Sequence, residues 1–318
     1  MEYELMQIQQ RRKRIRMGFT VKPRGENKVA KAYKEAKQGG SNMNRSKISE
    51  EELAAAMDQG KMDPTVISLA GKMDTNKSGI LCEFVSRLPE DKICVILDFD
   101  HSIKAIIDTF YTEHKDKFFI INATTSGKDY KRGIEIAMSA IEQTIKLKGD
   151  NIGLLASEGL DRLFQRSFKM TCQARGYNME DLRFFGKGGE TEFQPVDWMI
   201  RNDYNVDPFD LLYNYARDLG VDLVLTTHTK DEINERREIT NRDKPVYYKT
   251  IPDYLAYEFI TTKTVRGSKT IRSAKCTKSR LDPLMEGTDY VISTKEDKKI
   301  EWTGLYEQIK ADGAKLNF

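Results

Sequence analysis

A chain of 318 residues with a formal net charge of +3, 39% hydrophobic and 32% charged, has room for one large α/β domain with additions or for two domains. No apolar run approaches the roughly 18 residues a membrane span needs, and the opening MEYELMQIQQRRKRIRM lacks the apolar core of a secretory signal, so a cytoplasmic chain with no membrane partner is expected. Its four cysteines, Cys82, Cys94, Cys172 and Cys276, are far apart with no C-x-x-C pair, which argues for buried free thiols and against a disulfide scaffold or a zinc site.

In chain order, residues 1–47 hold QQRRKRIR, KPRGENK and AKAYKEAKQGG with few large apolar side chains, the composition of a basic arm ending at Gly39-Gly40. Ser49-Glu50-Glu51-Glu52 ahead of Leu53-Ala54-Ala55-Ala56-Met57 has the form of a capping box, so a short helix is expected there and residues 1–62 form an arm plus helix. Next comes a β-branched run, Thr65-Val66-Ile67-Ser68-Leu69-Ala70, which reads as a buried strand. It is followed by Gly71-Lys72-Met73-Asp74-Thr75-Asn76-Lys77-Ser78 and then by Ile80, Leu81, Phe84, Val85 and Leu88 at helical spacing.

Strand, loop and helix are the context of a phosphate-binding P-loop, and the spacing is G-x-x-x-x-G-K-S with Asn76 in place of the second glycine. Loop and helix N-terminal N–H groups would cradle the phosphates of ATP, Lys77 would neutralise the β and γ oxygens, and the Ser78 hydroxyl would ligate Mg²⁺. Asn tolerates positive φ better than most residues, so the loop geometry survives the substitution.

Further strands are expected at 92–101, 118–122, 151–158 and 221–228, with helices at 128–148 and 208–219. Residues 174–207, polar and aromatic with Gly186, Gly188 and Gly189, read as a long excursion, and the chain from Pro245 reads as β-hairpins. Strands alternating with helices predict a mostly parallel sheet covered on both faces, whose ligands sit at the carboxyl ends of the strands. Lys77, Asp98, Asp100, Ser157, Glu158, Thr227 and His228 fall at such ends.

The order of these motifs resembles the RecA-like ATPases, most closely the phage and archaeal-virus RecA-like nucleotide-binding proteins, over roughly residues 63–295. Leu97-Asp98-Phe99-Asp100-His101 resembles the strand whose last acidic residue activates the attacking water, and Asp100 stands at that position; a helix N-cap before Ser102-Ile103-Lys104-Ala105 is the alternative, with Asp98 then free for the role. Leu223 to Lys230 resembles the strand whose terminal polar residue, here His228, senses the γ-phosphate. Lys278-Ser279-Arg280 resembles the K-x-R with which RecA-like ring helicases reach a neighbouring subunit's nucleotide, and Gln194-Pro195-Val196-Asp197-Trp198 also looks like the phage group.

In the magnesium-motif strand, Ala156 holds the position where the family has Asp; Glu158, two residues on and on the same face, is the candidate replacement. The resemblance implies a RecA-like α/β domain over 63–318 that binds ATP and Mg²⁺. The implied activity is ATP hydrolysis in recombination, annealing or replication of viral or mobile DNA, in a host cytoplasm if viral, by a homo-oligomeric ring or filament. A nucleotide-dependent scaffold without hydrolysis, or a helicase or packaging motor, are the alternatives. The segment Thr261–Arg280 reads as a basic hairpin turning near Gly267-Ser268; its tip, with Arg266, Lys269 and Arg272, is expected to hold DNA phosphates.

Overall fold

The computed structural model describes residues 63–123, 130–178, 182–184, 187–188, 191–233, 239–297 and 299–318. The basic arm and the helix expected at 49–57 lie outside the described residues. Apolar runs with a period of two on both sides of the backbone can be satisfied only between two layers. The P-loop strand β1 (Val66–Gly71) shows this alternation: Ile67 and Leu69 enter one core and Val66 the other. The strands β2 (Ile93–Asp98), β4 (Ile152–Glu158) and β8 (Asp222–Ile233) divide their side chains in the same way. One face carries α1 (Lys77–Ser86), α2 (Ile103–Phe110) and a C-terminal helix, α7 (Tyr306–Ala311). The other carries α3 (Tyr130–Lys148), α4 (Leu160–Arg175) and α5 (Pro195–Leu219).

Together with β3 (Phe118–Asn122), β9 (Ile239–Pro245), β10 (Tyr257–Arg266), β11 (Lys269–Ser279), β12 (Asp289–Glu296) and β13 (Lys299–Trp302), these strands form one ten-stranded sheet. Its order is β13-β12-β11-β10-β1-β8-β4-β2-β3, with β9 paired to β8. The run from β10 to β3 is parallel, and β11 to β13 are added antiparallel at one edge. Among the described residues this is an α/β domain with a mostly parallel sheet, helices on both faces and C-terminal β-hairpins, the class expected from the sequence. β8 lies between β1 and β4, so the P-loop strand and the Glu158 strand do not touch but share a neighbour.

Two expectations are corrected. The helix placed at 208–219 begins instead at Pro195 and runs for 25 residues through Pro208. A capping box between Gln194 and Asp197 starts it, and Trp198 packs edge-on against Phe193 with ring centroids 4.9 Å apart. These contacts hold the first half, so the buried Pro208 removes one intrahelical donor without ending the helix. The excursion is correspondingly shorter, with a small sheet of β5 (Leu182–Phe184), β6 (Lys187–Gly188) and β7 (Thr191–Glu192). The strand expected to end at His228 continues to Ile233 and pairs back antiparallel with β9, projecting beyond the carboxyl edge of the sheet. All four cysteines are buried free thiols.

Two buried carboxylates close the C-terminal segment onto this frame. Glu83 on α1 accepts the backbone N–H groups of Leu305 and Tyr306, satisfying the start of α7. Asp222 accepts from Thr65 and Asn317. The Phe318 ring packs on Phe84, with centroids 5.8 Å apart.

Candidate functional site

The loop after β1 is shaped by close approach. A Cβ on Gly71 would lie 2.0 Å from Thr261 Oγ1 and 2.6 Å from its carbonyl oxygen, so no larger residue fits between β1 and β10. Asn76 adopts φ 76°, the left-handed conformation glycine usually supplies. Its side chain lies over Gly79, where a Cβ would come within 2.3 Å of Asn76 Oδ1. The replaced glycine is thus compensated by a glycine three residues later.

Thr75 Oγ1 donates to the Lys72 carbonyl at 2.8 Å, and it meets Thr261 Oγ1 at 2.6 Å. The Lys77 ammonium donates to the carbonyls of Gly71 at 3.1 Å and Lys72 at 2.9 Å, inside the loop. Burial pushes its pKa down, against the pull of Glu158, Asp161 and Asp100. Lys72 points away to Asp231 and Asp243, at 3.2 Å each, on the β8–β9 extension.

A cavity of about 480 Å³ opens on this loop. Lys77, Ser78, Glu158 and His228 line it, together with the exposed Phe110, Ile300 and Trp302. Glu158 is buried, and Ser78 Oγ donates to its Oε1. Thr226 Oγ1 donates to Oε2 at 2.7 Å and accepts the N–H of Gly159 at 2.9 Å. Burial pushes the Glu158 pKa up to about 7, and the nearby Asp98 charge adds to the effect of burial. Asp98 is the parallel-sheet partner of Glu158, so both carboxylates face α1. Asp98 Oδ1 accepts the N–H groups of Asp100 at 2.9 Å and His101 at 2.8 Å, and its Oδ2 is buried with no hydrogen bond among the described residues. Asp98 therefore shapes the turn after β2, while Asp100, which also lines the cavity, accepts from Arg162 Nε at 3.0 Å.

Oxygen donors of this kind, a hydroxyl, a carboxylate touching it and an unpaired carboxylate oxygen beside them, suit Mg²⁺. No cluster of three or more His, Cys, Asp or Glu able to hold a metal occurs among the described residues, so such an ion would draw further ligands from phosphate and water.

His228 stands in register with Gly71 across β1 and β8. Its Nδ1 is 2.9 Å from Asp161 Oδ1, which also accepts the His228 backbone N–H at 3.2 Å. Asp161 and Arg162 were not singled out in the sequence; Asp161 meets His228 only because β8 ends beside the start of α4, which no local pattern reveals.

The hairpin residues divide. Arg266 and Lys269 pair across its tip, away from the cavity. Arg272, expected with them, lines the cavity and donates to Asp74 of the loop at 3.0 Å; Lys263, on the facing strand, donates to the same carboxylate. The bond from Lys263, joined by Arg272, holds the Asp74 carboxyl below its usual range against the opposing effect of burial. Lys278 and Arg280 do not line the cavity: they donate to the carbonyls of Pro252 and Asp253 in the short helix α6 (Ile251–Tyr254).

The parallel order β10-β1-β8-β4-β2-β3, with the Gly71–Ser78 loop at the carboxyl end of β1, is the mostly parallel α/β arrangement that the sequence resemblance implied. No protein-family model and no curated protein sequence matches the chain. Among solved structures it is similar to the KaiC-like protein PH0186 from the hyperthermophilic archaeon Pyrococcus horikoshii OT3, at 12% identity over 75% of this chain and 88% of that chain, with a TM-score of 0.44. No described helix is long and apolar enough to cross a membrane.

Proposed function

We propose that the chain binds ATP with Mg²⁺ in the P-loop cavity and hydrolyses it while acting on DNA. One observation carries this reading: Lys77, Ser78, Glu158 and His228, from three different strand ends, line the same cavity. Lys77 would exchange its loop carbonyls for phosphate oxygens, gaining charge-assisted bonds. Ser78 and Glu158 would hold Mg²⁺, with Asp98 beside them. The ion would supply neutralisation of phosphate charge.

Arg266 and Lys269 at the exposed hairpin tip would take DNA phosphates without reading sequence. Lys278 and Arg280, on a surface remote from this cavity, would serve a neighbouring subunit in a head-to-tail ring or filament. A viral or mobile-element role in recombination, annealing or replication belongs to the same proposal and rests on the motif resemblance alone. A second reading, nucleotide binding without turnover, is favoured by the engagement of Asp100 with Arg162.

ATP affinity and turnover, measured with and without single-stranded DNA, separate these readings. Lys77→Ala should weaken ATP binding by about 1.5–3 kcal/mol, or roughly tenfold to a hundredfold. Unchanged binding in that variant removes the P-loop assignment, and binding without turnover in the native chain selects the second reading.

A further inference from the structure

We propose that Asp161 and His228 form a carboxylate–imidazole pair in which Asp161 positions His228 as the general base that takes the proton of the attacking water. This deepens the proposed function and rests on reading the cavity as an ATP site.

The proton-accepting groups that line the cavity stand in different conditions, and Asp74 is already engaged by Lys263 and Arg272. Glu158 already receives hydroxyls from Ser78 and Thr226. Asp100 already receives Arg162. His228 Nε2 makes no hydrogen bond among the described residues, while its Nδ1 is held. Consecutive residues at the start of α4 create the contrast, because Arg162 engages Asp100 and Asp161 orients His228.

Asp161 is 3% exposed. Burial alone would raise its pKa, but the bonds from the His228 ring and backbone, with the charges of His228 and Arg162, hold it below the usual carboxylate range. An ionised Asp161 can only accept, so Nδ1 carries a proton, and in the neutral ring this tautomer leaves the Nε2 lone pair free. The second bond, from the His228 backbone, fixes the carboxylate to the same residue whose ring it orients.

In the step itself, the water oxygen forms a bond to the terminal phosphorus as the bond from that phosphorus to the bridging oxygen breaks. The bridging oxygen keeps the electron pair and leaves with the diphosphate. The water proton passes to Nε2, giving an imidazolium stabilised by Asp161, and is then released to solvent.

The chain holds three histidines, His101, His114 and His228, so side-chain ¹⁵N spectra can be assigned by single substitutions. The native chain should show His228 as the Nδ1–H tautomer without nucleotide, and Asp161→Ala or the more conservative Asp161→Asn should redistribute it. Asp161→Ala and His228→Asn should each lower single-turnover hydrolysis by about a hundredfold, with ATP affinity within about threefold of native and the double variant no slower than the worse single one. Losses that multiply, an Asp161→Ala defect confined to affinity, an Nε2–H tautomer in the native chain, or a native chain that binds ATP without turnover would each overturn the pair. Failure of the native chain to bind ATP would instead overturn the P-loop reading and the reaction together. The tautomer would then report separately whether Asp161 orients His228.

Discussion

A Glu158→Gln chain should lose a pH dependence of stability that the native chain carries. Burial raises the Glu158 pKa from an ordinary 4.5 to about 7. A carboxyl raised in the folded state stabilises the fold fully below its unfolded pKa and loses that contribution as pH climbs through the folded one. Between about pH 4.5 and 8 the nucleotide-free native chain should therefore give up about 3 kcal/mol, at 1.36 kcal/mol per pH step of the difference. In Tm this is about 6–12 °C for a domain of this size.

Gln keeps the shape and most of the bonding. Thr226 Oγ1 accepts the Gly159 N–H and must donate onward, which the Gln carbonyl oxygen can accept. The Ser78 hydroxyl can turn to accept from the new amide. Paired thermal melts from pH 5 to 8.5 without divalent metal give the difference directly: the variant should gain on the native chain as pH rises. Adding Mg²⁺ with ADP should restore the native chain at pH 8 and stabilise the variant less. Native and variant curves that stay parallel across this range would refute both the burial and the ionisation assigned to Glu158.

Gly71→Ala should lower Tm and weaken ATP binding together, because a Cβ 2.0 Å from Thr261 Oγ1 forces β1 and β10 apart; unchanged melts would show that the strands can give way. Reversing charge at Arg266 and Lys269 should reduce the salt slope of single-stranded DNA binding by about 1–2 without altering sequence preference, and native protein that retains no DNA at low salt would end the hairpin assignment. Mixing Lys77→Ala with Arg280→Ala protein should recover part of the ATPase that each lacks, since some mixed interfaces pair an intact loop with an intact arginine; full activity from a native monomer would exclude a shared site.

What could be read from the sequence was whatever depends on local pattern. The apolar period of β1, β2, β4 and β8, with the G-x-x-x-x-N-K-S spacing, led to the sheet, the strand–loop–helix over Gly71–Ser78 and the face shared by Ala156 and Glu158. The start of α5 was misplaced because Pro more often opens a helix than sits inside one, and only the Gln194–Asp197 box and the Trp198–Phe193 contact favour the longer helix. Asp161 gave no signal at all. A single carboxylate after Gly159 looks like an ordinary first-turn acid, and it acquires a partner only because β8 ends beside it.

The same limit explains the hairpin cations. In the sequence, Lys263, Arg266, Lys269 and Arg272 form one uniform basic stripe, and a strand pattern cannot divide it. The division comes from register. β1 pairs with β10 so that Gly71 faces Thr261, and everything in β10 beyond Thr261 overhangs the P-loop. Lys263 and its cross-strand partner Arg272 are the first cations past that point, so they meet Asp74, whereas Arg266 and Lys269 pair at the far tip. A left-handed backbone at Asp74, φ 62°, turns its carboxylate toward the overhang. The two inner cations are thereby tied to the loop that would hold the nucleotide, and the two outer ones remain available to another phosphate chain.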